Sequence, residues 1–296
     1  MIKNMKFEFI ISKWANFYFF ISNLSEWHFS CRTFYNEFWR KELGGFSKKE
    51  KKSLKLFAKL HEKYPFGSDF FGQIFFVKKN PLINLKRERP KKDFQLLKEI
   101  FKIFVPNFEK LYKKELPLLK IWEKNLKEYS NKILIVRQLN TNLAFLYHTK
   151  PIQKNIKVYL LFSSPNLSGG GTNMDGESIT LEISRYPLKA INQVIGIIWH
   201  ELIHLYFEND YFLPLINETF ASDQKKISLL KEAAASSLLP NGVLGVNLLK
   251  IKSKLLNSKI PSKYNRPFLR LSKEYLRKKK FFDKQYIRNA VSIILS

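Results

Sequence analysis

Two of the chain's five histidines, His200 and His204, stand four residues apart in the stretch IIWHELIHLYFEND, residues 197–210, with Glu201 beside the first. On a helix, residues four apart lie one above the other on a single face. Two imidazoles at that spacing can reach one ion at ~2.0–2.1 Å, and Zn2+ is the expected ion. Glu201 points about one step round the helix. From there it can take a proton from a water beside the ion without ligating the ion, which is where a general base belongs. The flanks Ile197, Ile198, Trp199, Leu202, Ile203 and Leu205 are apolar. Polar groups in such a helix need partners, because leaving them unpaired when buried costs several kcal/mol.

The His-Glu-Leu-Ile-His motif at 200–204 resembles the HExxH helix of the zincin metallopeptidases. The resemblance covers that helix directly, together with the order of sheet, active-site helix and helical remainder. It implies a zinc-dependent hydrolase, a metalloprotease that cleaves peptide or protein substrates. It also implies an edge strand beside the bound peptide, for which SITLEIS (178–184) is the candidate, with the Gly169–Gly171 loop bordering the cleft. Zincins divide by their third metal ligand. A metzincin carries glycine three residues past the second histidine, where Phe207 stands here, and histidine or aspartate at six, where Asp210 stands. A gluzincin takes a glutamate from a later helix. Glu218 follows His204 by only fourteen residues, whereas Glu232, among alanines and serines, has room for an antiparallel return. The gluzincin reading with His200, His204 and Glu232 as metal ligands and Glu201 as the catalytic base is preferred. Asp210 and Glu218 stay open as alternatives.

The elements around the motif point to an α+β, zincin-like fold: a small mixed sheet, the HExxH helix, a large helical N-terminal part and a helical C-terminal part. Residues 1–130 read as mainly helical after a first strand. Ser47 and Glu50 form a capping-box pattern, and Pro65 stops that helix. Phe94, Leu97, Phe101 and Phe104 make one stripe, and Pro106 and Pro117 predict two helical pieces up to about Tyr129. Residues 131–240 form the expected catalytic core. KILIVRQLN, NLAFLYHTK, IKVYLLFSS and SITLEIS read as short strands separated by turn residues. The glycine-rich connection SPNLSGGGTNMDGES lacks the Gly-Lys-Ser/Thr of a phosphate loop and reads as a plain connection. Pro187 suits the first turn of the motif helix. Residues 241–296, after a break at Pro240–Gly242, read as helical again. His28, His61 and His148 have no second ligand type at a useful spacing and read as structural.

A length of 296 residues, 45% of them hydrophobic, is enough for one large domain or two small ones. The single Cys31 excludes an internal disulfide and a Cys-rich zinc site, and favours a reducing, cytoplasmic compartment. No stretch approaches the ~18–20 apolar residues of a membrane span, and Lys13 interrupts the N-terminal apolar run, so no signal peptide is expected. The net charge of +27 would suit a polyanion partner. Lysine is nevertheless scattered through nearly every segment, and no nucleic-acid motif is present. Contact with nucleic acid is therefore expected to be non-specific. The rival class is a non-catalytic, basic nucleic-acid-associated or scaffold protein with a structural or vestigial metal site. A purely structural site has no use for Glu201.

Overall fold

The computed structural model describes residues 5–27, 31–64, 73–88, 90–130, 132–172, 177–220, 223–251 and 261–295. His28, Pro65 and residues 173–176 of the glycine-rich connection lie outside them. In chain order come β1 (Lys6–Ile10), α1 (Lys13–Ser25), α2 (Thr33–Leu43), α3 (Lys48–Lys63), α4 (Gln73–Val77), α5 (Pro81–Glu88), α6 (Lys91–Ser130) and α7 (Ile133–Leu146). Then follow β2 (Asn155–Leu161), β3 (Gly169–Thr172) and β4 (Ser178–Glu182). A 3-10 turn at Leu188–Ala190 leads into α8 (Ile191–Leu202), which passes directly into a π-helical turn at Ile203–Phe207. The chain closes with α9 (Phe212–Phe220), α10 (Gln224–Leu238), α11 (Val243–Leu249), α12 (Ser262–Arg277) and α13 (Lys284–Leu295). The architecture is mixed α+β, predominantly helical, with one small mixed sheet.

The sheet order is β1-β2-β4-β3, with β1, β2 and β4 parallel and β3 antiparallel to β4 at one edge. Strand β2 is apolar almost throughout because both of its faces are covered. Tyr159 and Leu161 pack under Ala15 of α1. Ile156, Val158 and Leu160 belong to the face that Phe7, Phe9, Ile179 and Leu181 share, by register and strand alternation. On that face Trp199 of α8 meets Phe7 edge-on, ring centroids 6.0 Å apart. The strand at the very start of the chain thus helps seat the helix that carries the histidines. One continuous core joins residues from Phe9 to Ile294, running through all three stretches distinguished in the sequence.

Two expectations for local structure are corrected. KILIVRQLN and NLAFLYHTK do not form strands: residues 133–146 are the single helix α7. Asn140, at the end of the first run, is buried and clamps Ile152. Its amide donates to the Ile152 carbonyl (2.9 Å) and its oxygen accepts from the Ile152 N–H (2.8 Å). Leu139, Leu143 and Leu146 then bury one helical face, and packing overrides the β-propensity of the exposed Ile133 and Leu134. The second correction concerns Pro106 and Pro117, which lie inside one unbroken helix, α6, of 40 residues. An internal proline costs roughly 3 kcal/mol. A buried stripe through Leu97, Phe104, Phe108, Leu119, Leu126 and Tyr129 spans both prolines. Each fully buried side chain of this kind contributes about 1.5–3 kcal/mol, so the stripe outweighs the breaks.

The capping box at α3 forms as expected: Ser47 Oγ accepts from the Glu50 N–H (3.2 Å), and Glu50 Oε2 accepts from the Ser47 N–H (2.7 Å). His61 is buried and stacks on Trp27 with ring centroids 3.9 Å apart, a packing role. His148 lies exposed in the turn after α7, against Phe281. Among the described residues no helix is long and apolar enough to cross a membrane.

Helix α1 is tied to the end of β2 by one buried side chain. Asn16 donates to the Leu160 carbonyl (3.0 Å) and accepts from the Phe162 N–H (2.9 Å). Asn16→Ala is expected to cost about 2–6 kcal/mol in urea unfolding, at roughly 1–3 kcal/mol for each of the two buried backbone groups left without a partner. A loss below about 1 kcal/mol would show that these groups find other partners.

Candidate metal centre

The side chains of His200, His204 and Glu232 converge. Their donor atoms lie within 4.8 Å of one another, a grouping able to hold a metal ion. The Nε2 atoms of the two histidines are 3.2 Å apart. Glu232 reaches them with Oε2 at 3.5 Å from His200 Nε2 and Oε1 at 3.7 Å from His204 Nε2. The histidines come from the end of α8 and from the π turn that follows it. Glu232 comes from the middle of α10, and the wholly buried Ala233, Ala234 and Ala235 beside it let that helix lie close. Asp210 and Glu218 are not part of the cluster. Asp210 accepts from the Thr149 hydroxyl (3.1 Å), and Glu218 is exposed and pairs with Lys284 (3.6 Å).

Both imidazoles are oriented from behind. His200 Nδ1 donates to the Leu239 carbonyl (3.0 Å), which fixes the proton there and leaves Nε2 as the free donor atom. That carbonyl approaches because residue 196 is glycine: a Cβ on Gly196 would meet Pro240 Cα at 2.8 Å. His204 Nδ1 is 3.0 Å from Glu208 Oε2. Glu208 is fully buried, and its other oxygen meets Lys231 Nζ at 2.6 Å. Neither Glu208 nor Lys231 belongs to the motif, and the one sequence signal for Glu208 was its position four residues past His204. The backbone there takes the π form, with the Glu208 N–H bonded to the Ile203 carbonyl (3.2 Å). Such turns are rare and recur at functional sites.

The electrostatics favour a cation. Burial alone would push His204 down. The Glu208 hydrogen bond and the charges of Glu208, Glu232 and Glu201 outweigh it, so His204 is raised above the ordinary histidine range. Tyr147, wholly buried at the end of α7, is held protonated by burial and then by the negative Glu208.

Glu201 lies on the same helix, turned toward the sheet edge. The edge strand is β3, and this corrects the expectation for SITLEIS: β4 is an interior strand, hydrogen-bonded on both sides. The glycines read as a plain connection form that edge. They do so because β3 runs hard against α8, where a side chain has no space. A Cβ on Gly170 would meet Glu201 Cγ at 2.8 Å, Glu201 Oε1 at 3.1 Å and Ile197 Cγ2 at 2.9 Å. Near the same edge Arg32 bonds Glu182 (2.9 Å), whose charge is the main reason that the guanidinium is raised against the effect of burial, with smaller help from Tyr35 and Glu201.

No family model matches the sequence, and no curated protein or solved structure matches it either.

The tight seat of β3 on α8 has a measurable consequence. Gly170→Ala forces a shift of Glu201 or Ile197 and is expected to destabilise by roughly 1–3 kcal/mol. Gly171→Ala, whose added carbon meets Thr180 Oγ1 at 3.3 Å, is expected to cost less. Chemical denaturation of the two variants decides, and equal losses would show that β3 is not held against Glu201.

Proposed function

We propose that the protein is a zinc-dependent peptide hydrolase, with His200, His204 and Glu232 as metal ligands and Glu201 as general base. The observation that carries this reading is the convergence of three donor groups: the two Nε2 atoms stand 3.2 Å apart, Glu232 approaches His200 with one oxygen at 3.5 Å and His204 with the other at 3.7 Å, and one donor atom from each residue lies within 4.8 Å of the others. Ligands at ~2.0–2.1 Å from a tetrahedral Zn2+ stand about 3.3–3.4 Å from one another. The residues therefore fit the ion in number and donor type, the two imidazole nitrogens fit it in spacing as well, and three protein ligands leave a fourth position open, as catalytic zinc sites do. When bound, the ion would polarise a peptide carbonyl and lower the pKa of a water.

The chain's own groups supply the rest. Glu201, half-buried beside the free edge of β3, takes the proton from the attacking water and returns it to the leaving amine. Among the described residues β3 is the last strand on its side of the sheet, and an extended peptide would add there as a further strand and bring its scissile bond past Glu201. Leu239 and Glu208 hold both imidazoles with Nε2 turned to the shared point. The rival reading, a basic scaffold with a structural metal site, gives no work to a carboxylate held between the motif helix and an open strand edge.

Protein purified without chelator is expected to carry one zinc per chain. Glu232→Ala should abolish tight binding, while Asp210→Ala and Glu218→Ala retain it. Glu201→Gln should keep the metal and lower casein cleavage by on the order of 10²–10⁴. A folded wild-type chain that takes up no zinc, or full cleavage by the Glu201→Gln protein, would overturn the reading.

A further inference from the structure

We infer that Glu208 and Lys231 form a positioning relay for the metal ligand His204, an inference that rests on the metal reading above. Glu208 is wholly buried, and its two oxygens face two different groups: Oε2 is hydrogen-bonded to His204 Nδ1 at 3.0 Å, and Oε1 forms an ion pair with Lys231 Nζ at 2.6 Å. An ion pair built on a buried carboxylate, here with a lysine that is partly exposed, adds little net stability over apolar residues of the same size. Filling the core therefore does not explain why a carboxylate and an ammonium stand here.

Orientation explains it. A carboxylate behind Nδ1 fixes the proton on that nitrogen, keeps the Nε2 lone pair toward His200 and Glu232, and makes the imidazole a stronger donor. His200 receives the same orientation from the neutral Leu239 carbonyl. The two imidazoles are thus held unequally, and His204, on the π turn, has the charged support. Lys231 closes the arrangement. It directly precedes Glu232 on α10, so the helix that delivers the third ligand also delivers the cation that holds Glu208. Movement of α10 would withdraw both together.

Two other roles are separable from this one. A purely structural pair would stabilise the fold whether or not metal is bound. A direct effect of Lys231 on its neighbour Glu232 would be independent of Glu208. Glutamine at 208 tests both, because it offers one oxygen to two donors and leaves one of them facing an amide NH2.

The experiment is zinc affinity, measured by competition with a chromophoric chelator, for wild type, Glu208→Gln, Lys231→Met and the double variant. The visible spectrum of the Co2+-loaded proteins and the melting of the metal-free proteins are recorded alongside. Glu208→Gln is expected to weaken zinc binding by ~10–100-fold and to alter the cobalt spectrum, while the metal-free protein stays folded. Lys231→Met should weaken zinc in the same direction, and the double variant should be no weaker than Glu208→Gln alone, as for two residues acting through one contact. If Glu208→Gln fails to fold, Lys231→Met carries the test by its zinc affinity and cobalt spectrum. Tight zinc binding by wild type with unchanged affinity and cobalt spectrum in the variants overturns the relay and leaves the metal site standing. Multiplying losses in the double variant overturn the action of Lys231 through Glu208. Absence of tight zinc binding by wild type overturns the metal site and the relay with it.

Discussion

Everything about this site depends on where two imidazole protons are kept. Each Nδ1 faces a buried acceptor, Leu239 for His200 and Glu208 for His204, and so each Nε2 is turned to the same point. Both acceptors depend on the helix that carries Glu232. Leu239 arrives from the end of α10, and Glu208 is held from α10 through Lys231. The motif helix is seated on the sheet through Trp199 against Phe7, and the edge strand closes over Glu201. The first strand, the sheet edge and the helix that carries Glu232 therefore meet at a few atoms of α8.

The buried carboxylates follow one pattern. Glu182 at the end of β4 meets Arg32 (2.9 Å), Glu115 of α6 meets Arg185 (2.6 Å), and Glu208 meets Lys231 (2.6 Å). All three pairs bracket the motif helix: the strand before it, the connection that leads into it, and the turn that follows it. Glu115 also accepts from the Ser184 hydroxyl (2.6 Å), which in turn accepts from the Ser163 N–H (2.9 Å). Removing the cation from such a pair leaves an uncompensated buried carboxylate, at a cost of about 3–5 kcal/mol. In a chain with a net charge of +27, these few cations are spent on geometry, while most lysines stay in solvent.

The motif itself was legible because its chemistry is local: two histidines and a glutamate at helical spacing in apolar surroundings. Glu232 was legible one step further out, since its alanine neighbours mark a helix that packs closely and its distance from His204 allows a return. Strands β2 and β4 could be read from their apolar runs. What could not be read is set by contacts distant in sequence. Ile133–Leu146 carries strand-forming residues and becomes a helix because Asn140 has Ile152 to clamp. The three glycines that look like a plain connection form an edge strand because α8 leaves no room for side chains. Glu208 is an acid four residues past a histidine, and its role shows only once Lys231 has been brought to it.

The π turn at Ile203–Phe207 has a consequence of its own. An α-helix advances about 100° per residue, and a turn closed by i→i+5 bonds holds one residue more than its α counterpart. The segment is therefore a phase shift in the helix, placed between His200 and Glu208. Upstream side chains are aimed by the sheet, downstream ones by α9 and α10, and the extra residue reconciles the two directions. The spacing of the chain here is as fixed as its chemistry. Loss or gain of a single residue between Ile203 and Phe207 would swing the downstream helices by about 100° relative to the sheet. Side-chain replacements on the outer surface of the turn leave that phase intact.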